Sequence, residues 1–150
     1  MTYLQEIKIH LDKTTESSFK YGITNDEDAI KAFRNIYEDL EIYESFYALY
    51  LNNSNEIIGW RKISQGGITS TVVDVRLIFA PAFQCLATAI IVCHNHPSGK
   101  LEPSREDILL TKKIKDIGEL MNIKLLDHII LTLDDYYRVY LDFLKTNKEL

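Results

Sequence analysis

The chain has 150 residues, 46% of them hydrophobic, which is enough for one compact unit with a real core and too little to expect two. Its 17 basic against 22 acidic side chains leave a net charge of -5, so overall charge repels a phosphate backbone and gives no support to nucleic-acid binding. Two cysteines, Cys85 and Cys93, offer neither a disulfide framework nor a thiolate zinc site, and no apolar run approaches the ~20 residues that span a bilayer.

Residues 1–23 begin "MTYLQEIKIHLDK", mixed in charge and unlike a signal peptide, so a soluble cytoplasmic protein is expected. Their weak alternation suits a strand or an arm, and His10 within them has no chemical context. Thr24 or Asn25 can cap a helix whose first turn carries Asp26, Glu27 and Asp28, where the helix dipole favours negative charge. Ile30, Phe33, Ile36, Tyr37 and Leu40 recur at helical spacing and predict one face laid on the core. The runs 44–51 and 57–64, separated by "NNSNE", read as a hairpin. Asp74 can cap a further helix running to about Ala87. Pro81 inside it removes a backbone donor and is expected to kink or restart it.

The continuous apolar run "TAIIVC" at 88–93 is of the kind found in a strand buried on both faces. A helix opens at Ser104 with an apolar stripe at Leu110, Ile114, Ile117 and Met121, and 123–132 is a second buried strand. The lysines of "TKKIK" at 111–115 read as that helix's solvated face. Strand, helix and strand with a short return imply a parallel pair joined by a right-handed crossover. The fold class is α/β, a mixed β-sheet sandwiched by α-helices. Residues 136–150 are ambiguous between strand and helix.

Chemistry gathers at "HNHPSGKLEPSRED", residues 94–107. His94 and His96 leave the same face of an extended strand while Asn95 points away. Pro97 and Gly99 then turn the chain back to a helix that carries Asp107 in its first turn. Ligand crevices in α/β sheets lie beyond the carboxyl ends of the strands, where these residues fall. Two imidazoles and one carboxylate leave a tetrahedral zinc ion one open position, as catalytic zinc requires. Taken alone, Ser104 and Asp107 also fit an ordinary capping box, and a single strand-end histidine an ordinary hydrogen-bonded residue. The conjunction of all three features favours a metal. A metal-bound water needs a base, and Glu44 is the candidate, at the start of a strand on the face of Phe46, Ala48 and Tyr50, although a solvated strand-end acid would look the same. Glu102 and Glu106 have no evident reason to face inward.

His94, His96, Pro97, Ser104 and Asp107 at these spacings, with a glutamate upstream, resemble the JAMM or MPN motif of zinc-dependent peptidases and isopeptidases. More closely, "ESFYALYLN", "IIVCHNHPSGKLEPSREDILLTKKIK" and "LLDHIIL" resemble the RadC family in its short form, over about residues 24–137. The resemblance implies one Zn2+ ion on His94, His96 and Asp107, with Glu44 as general acid and base. It also implies a Ser104 hydroxyl that donates to an oxyanion, a fold related to that of the cytidine deaminases, and a peptide or isopeptide-linked protein as substrate. Longer members carry an N-terminal helix-hairpin-helix segment that grips nucleic acid, and nothing in these residues has its glycine turns. The alternative is a non-enzymatic DNA-processing accessory with a vestigial metal site. Fe(II) held by two histidines and one acid is a third reading, against which the nearby Glu44 speaks. A deaminase would need a P-C-x-x-C pair that is absent. Asp127 and His128 match a family "DH" pair. As strand neighbours they face opposite ways, so at most one points toward the site, and a buried, hydrogen-bonded His128 is the expectation.

Overall fold

The structure is a computed structural model and describes residues 4–8, 22–67 and 72–146. Its elements in chain order are α1 (Asp26–Ile36), β1 (Ser45–Leu51), β2 (Ile57–Gln65), α2 (Val75–Gln84), β3 (Ala89–Asn95), α3 (Arg105–Met121), β4 (Lys124–Leu131), β5 (Tyr136–Arg138) and α4 (Val139–Thr146). The ambiguous tail is thus a short strand followed by a helix. Five strands form one sheet in the order β2-β1-β3-β4-β5. Only β3 and β4 run parallel, and the other pairings are antiparallel.

Both faces of this sheet are covered, and the sequence of β1 and β3 states why. Every residue of either strand is buried, and alternate side chains enter different clusters. Tyr47, Leu49, Ile91 and Cys93 meet Ile30 and Phe33 of α1 on one face. Phe46, Ala48, Ile90 and Val92 meet Ile78 of α2 and Ile114 of α3 on the other. Full burial of a side chain such as Phe33 or Ile78 stabilises by about 1.5–3 kcal/mol each, and this anchors the helices to the sheet. The fold is therefore α/β, with a mixed sheet between helices.

Three expectations change. The first helix stops at Ile36 instead of reaching Leu40, because Tyr37 turns extended and spends its buried hydroxyl on the Ser45 carbonyl, 2.8 Å away. Helix α2 runs unbroken from Val75 to Gln84 with Pro81 inside it. Proline's fixed φ is itself helical, and Ile78, Phe79 and Ala82 hold that segment in the core. The expected stripe of α3 holds at Leu110, Ile114 and Ile117, which pack on the core, but the fully buried line runs through Thr111, Ile114 and Gly118, and Met121 is exposed. Gly118 sets that rotation: a Cβ there would stand 2.2 Å from the Ile123 carbonyl oxygen, so the bare glycine lets α3 settle against the entry to β4. Most of residues 1–23, His10 included, lie outside the described residues. Of the remainder, Gly22 bridges Glu56. Among the described residues no helix is long and apolar enough to cross a membrane.

Candidate metal centre

Sheet register carries three segments to one place. β1 is antiparallel to β3 with Phe46 opposite His94, so the start of β1 lies beside the end of β3. Asn95 locks that junction. Its side chain points away from the two histidines, accepts the Ser45 N–H at 2.8 Å and donates to the carbonyls of Leu40 and Tyr43 at 2.9 and 2.7 Å. A single buried amide thereby fixes the loop that delivers Glu44. His96 continues the parallel ladder through its N–H to the Leu131 carbonyl, and Gly99, at φ 82°, makes the turn that follows. The chain then enters α3 at Ser104, where the capping box is complete: Ser104 Oγ accepts the Asp107 N–H at 3.1 Å and Asp107 Oδ2 accepts the Ser104 N–H at 2.8 Å.

The capping role and the clustering of Asp107 coexist. Asp107 Oδ1 lies 3.3 Å from His94 Nε2, Asp107 Oδ2 lies 3.5 Å from His96 Nε2, and the two Nε2 atoms are 3.0 Å apart. Glu44 Oε1 stands further out, 3.9 Å from His94 Nε2 and 3.8 Å from His96 Nε2. Glu44, His94, His96 and Asp107 each offer an atom that could hold a metal ion, all within 4.8 Å of one another. Glu44 and His94 are buried, and His96 and Asp107 partly so. Phe46 lies beneath the site, its ring stacked on His94 at 6.1 Å and set edge-on to His128 at 5.6 Å.

The donor set suits a cation. His96 Nδ1 donates to the Lys100 carbonyl at 2.7 Å, which leaves the lone pair of the neutral ring on Nε2, facing the cluster. Metal bonds of about 2.0–2.2 Å in tetrahedral array place neighbouring ligand atoms roughly 3.3–3.6 Å apart. Each imidazole has an Asp107 oxygen at about that separation, Oδ1 at 3.3 Å from His94 and Oδ2 at 3.5 Å from His96, and the 3.0 Å between imidazoles is slightly tight. The charges agree. Burial works to raise the Asp107 carboxyl, but the two imidazoles beside it and the Ser104 N–H overcome that and hold the group far below the ordinary carboxylate range. Burial works to lower His96, yet Asp107 and the Lys100 carbonyl leave it raised.

Sequence reasoning missed part of the surroundings. His128 is fully buried, as expected, but it belongs to the cluster: Nε2 lies 2.8 Å from His94 Nδ1, and Nδ1 lies 2.6 Å from Thr111 Oγ1. Burial and the neighbouring His94 hold it well below the usual imidazole range. Asp127 faces the other side of the sheet and pairs with Arg138. Burial raises its carboxyl, and Arg138 opposes that shift. Glu106 is exposed, and with Val72, Val73, Leu110 and Phe46 it lines a cleft of about 250 Å³ that opens on Glu44, His94 and Asp107. No signal in the spacing marks Thr111 or Glu106. The alternation that sets Asp127 and His128 on opposite faces was the available clue to His128.

Residues 23–141 match the family model described as a RadC-like JAB domain. A UPF0758 protein of Flavobacterium johnsoniae is 48% identical over 115 residues, covering 77% of this chain and 50% of that protein. UPF0758 proteins of Streptococcus suis and Porphyromonas gingivalis are 44% and 42% identical over 94 and 99 residues, covering 63% and 66% of this chain and 38% and 44% of theirs. The chain spans about half the length, or less, of these curated relatives. The family match takes in every element from α1 to the opening of α4, including all four side chains of the cluster, and the chain belongs to the RadC-like JAB domain family.

Proposed function

We propose that the protein is a zinc-dependent hydrolase of amide bonds, in peptides or isopeptide-linked proteins. The observation that carries this reading is the split in the cluster: two imidazoles and the Asp107 carboxylate close together, and Glu44 set back by 3.8–3.9 Å from both imidazole nitrogens. His94, His96 and Asp107 would hold the ion, and Glu44 would stand beside the remaining position. When bound, zinc supplies Lewis acidity, bringing the pKa of a water toward ~7 and polarising a carbonyl.

The chain's own residues do the rest. Glu44 Oε1 takes a proton as the water oxygen bonds to the carbonyl carbon, and passes it to the amide nitrogen as the carbon–nitrogen bond breaks, giving a carboxylic acid and an amine. The cap at Ser104 uses its hydroxyl as an acceptor, which leaves the hydroxyl proton to donate to the oxygen that gathers negative charge. Phe46, Val72, Val73 and Leu110 give the cleft apolar walls that would strengthen these interactions by excluding bulk water.

The test is elemental analysis beside hydrolysis of a fluorogenic peptide library. Wild type is expected to carry one equivalent of zinc, lost in His94→Ala and Asp107→Ala. Glu44→Gln is expected to keep its zinc and lose hydrolysis. A wild-type protein that takes up no zinc would remove the reading, and loss of zinc from Glu44→Gln would make Glu44 a ligand.

A further inference from the structure

A chain of hydrogen bonds runs from the backbone of Asp107 to the ring of His94. Thr111 Oγ1 lies 2.7 Å from the Asp107 carbonyl oxygen, one helical turn back, and 2.6 Å from His128 Nδ1. His128 Nε2 lies 2.8 Å from His94 Nδ1. Thr111 and His128 are both fully buried, so water does not compete for these contacts.

The chain has a direction. A hydroxyl carries one proton, and the Asp107 carbonyl can only accept it. With that proton given to Asp107, Thr111 Oγ1 is the acceptor and His128 Nδ1 the donor. A neutral His128 then accepts at Nε2, from a proton on His94 Nδ1. The lone pair of His94 is thereby left on Nε2, facing His96 and Asp107. The opposite sense would put a proton on His94 Nε2, in the middle of the cluster, where it would block a cation.

We propose that Thr111 and His128 are positioning residues, which hold His94 with its proton on Nδ1 and its Nε2 bare and aimed into the cluster. This deepens the zinc reading and rests on it. The relay starts on one candidate ligand and ends on another, so it couples the first turn of α3 to the end of β3 through β4. Its members come from three elements: Thr111 from α3, His128 from β4, in register with Val92, and His94 from β3. The second nitrogen of a metal-binding imidazole is generally engaged in this way, and loss of the outer partner lowers metal affinity by ~10–100-fold.

Two measurements test the relay. The first is nitrogen NMR of the imidazoles in chelator-treated protein, which needs no metal: wild type is expected to show His94 protonated at Nδ1 and bare at Nε2, and Thr111→Val a mixture of tautomers. The second is zinc affinity by chelator competition. His128→Phe and Thr111→Val are expected to bind ~10–100-fold more weakly, and Thr111→Ser, which keeps the hydroxyl, to bind like wild type. A wild-type His94 with its proton on Nε2 would overturn the proposal, as would a folded Thr111→Val protein with unchanged zinc affinity. Were the wild type to take up no zinc at all, the hydrolase reading would fall and the nitrogen shifts alone would decide the relay.

Discussion

Ser104 and Asp107 hold each other reciprocally, and the Asp107 Oδ2 that accepts the Ser104 N–H also stands 3.5 Å from His96 Nε2. One carboxylate thus starts a helix and faces the cluster, and the Ser104 hydroxyl that caps it is also the donor of the proposed reaction. The two duties of Ser104 separate by measurement. Ser104→Ala is expected to lose about 1 kcal/mol of stability from the cap, equally with and without chelator. At 25 °C that loss leaves the protein folded, so a fall in hydrolysis of tenfold or more would report the missing donor. Unchanged turnover in Ser104→Ala would leave the residue a cap alone.

Asn95 sits between the two histidines in sequence and works on the other side of the sheet. Removing its amide in Asn95→Ala strands the Ser45 N–H and the Leu40 and Tyr43 carbonyls, at about 1–3 kcal/mol for each group left buried without a partner. Relaxation of the loop should bring the total to about 2–4 kcal/mol. Urea titration gives the figure, and a loss below 0.5 kcal/mol, on the order of a surface substitution, would contradict the locking role.

Gly118→Ala sets two effects against each other. Alanine gains about 1 kcal/mol of helix propensity, but its Cβ would stand 2.2 Å from the Ile123 carbonyl oxygen, a backbone atom that cannot swing aside. Overpacking wins, and a net loss of about 1–3 kcal/mol is expected. Thermal melts that place Gly118→Ala at or above wild type would mean that β4 shifts freely from α3.

Alkaline pH should weaken the fold through buried phenols. Burial raises the hydroxyls of both Tyr37 and Tyr50, and Tyr50 donates to the Ile78 carbonyl at 2.7 Å. The unfolded chain then gives up these protons first, near pH 10. Their stabilisation is complete below that pH and is lost as pH rises toward the folded values, because the native state binds more protons. Denaturant midpoints between pH 8 and 11 should fall steeply above 10, and less steeply in Tyr50→Phe. Parallel curves for the two proteins would deny Tyr50 its share.

The sequence was most legible where pattern and period agree. Fully apolar runs marked β3 and β4 and their parallel return, and alternation marked Phe46, Ala48 and Tyr50 as one face with Glu44 before it. The convergence of His94, His96 and Asp107 followed from strand alternation and from the turn that brings the helix start back to the strand end, whereas spacing left Glu44 open, because its nearness depends on the pairing of β1 with β3. What stayed hidden depends on contacts no spacing encodes. The end of α1 is decided by a Tyr37 hydroxyl that finds Ser45, and the rotation of α3 by a glycine pressed on Ile123. Thr111 looked like part of a lysine-rich face because nothing in "TKKIK" says which strand lies behind it. His128 could be assigned to one side of β4 by alternation, but its meeting with His94 needs the β3–β4 register.

That register has a dynamic consequence. The start of β1, the end of β3 and the first turn of α3 meet at one corner, where the sheet itself joins only the first two. An ion gripped there would act as a rivet through all three. Amide hydrogens near Ser45, Asn95 and Ile108 would then exchange with solvent as a single unit when zinc is present, and as separate, faster units after chelation.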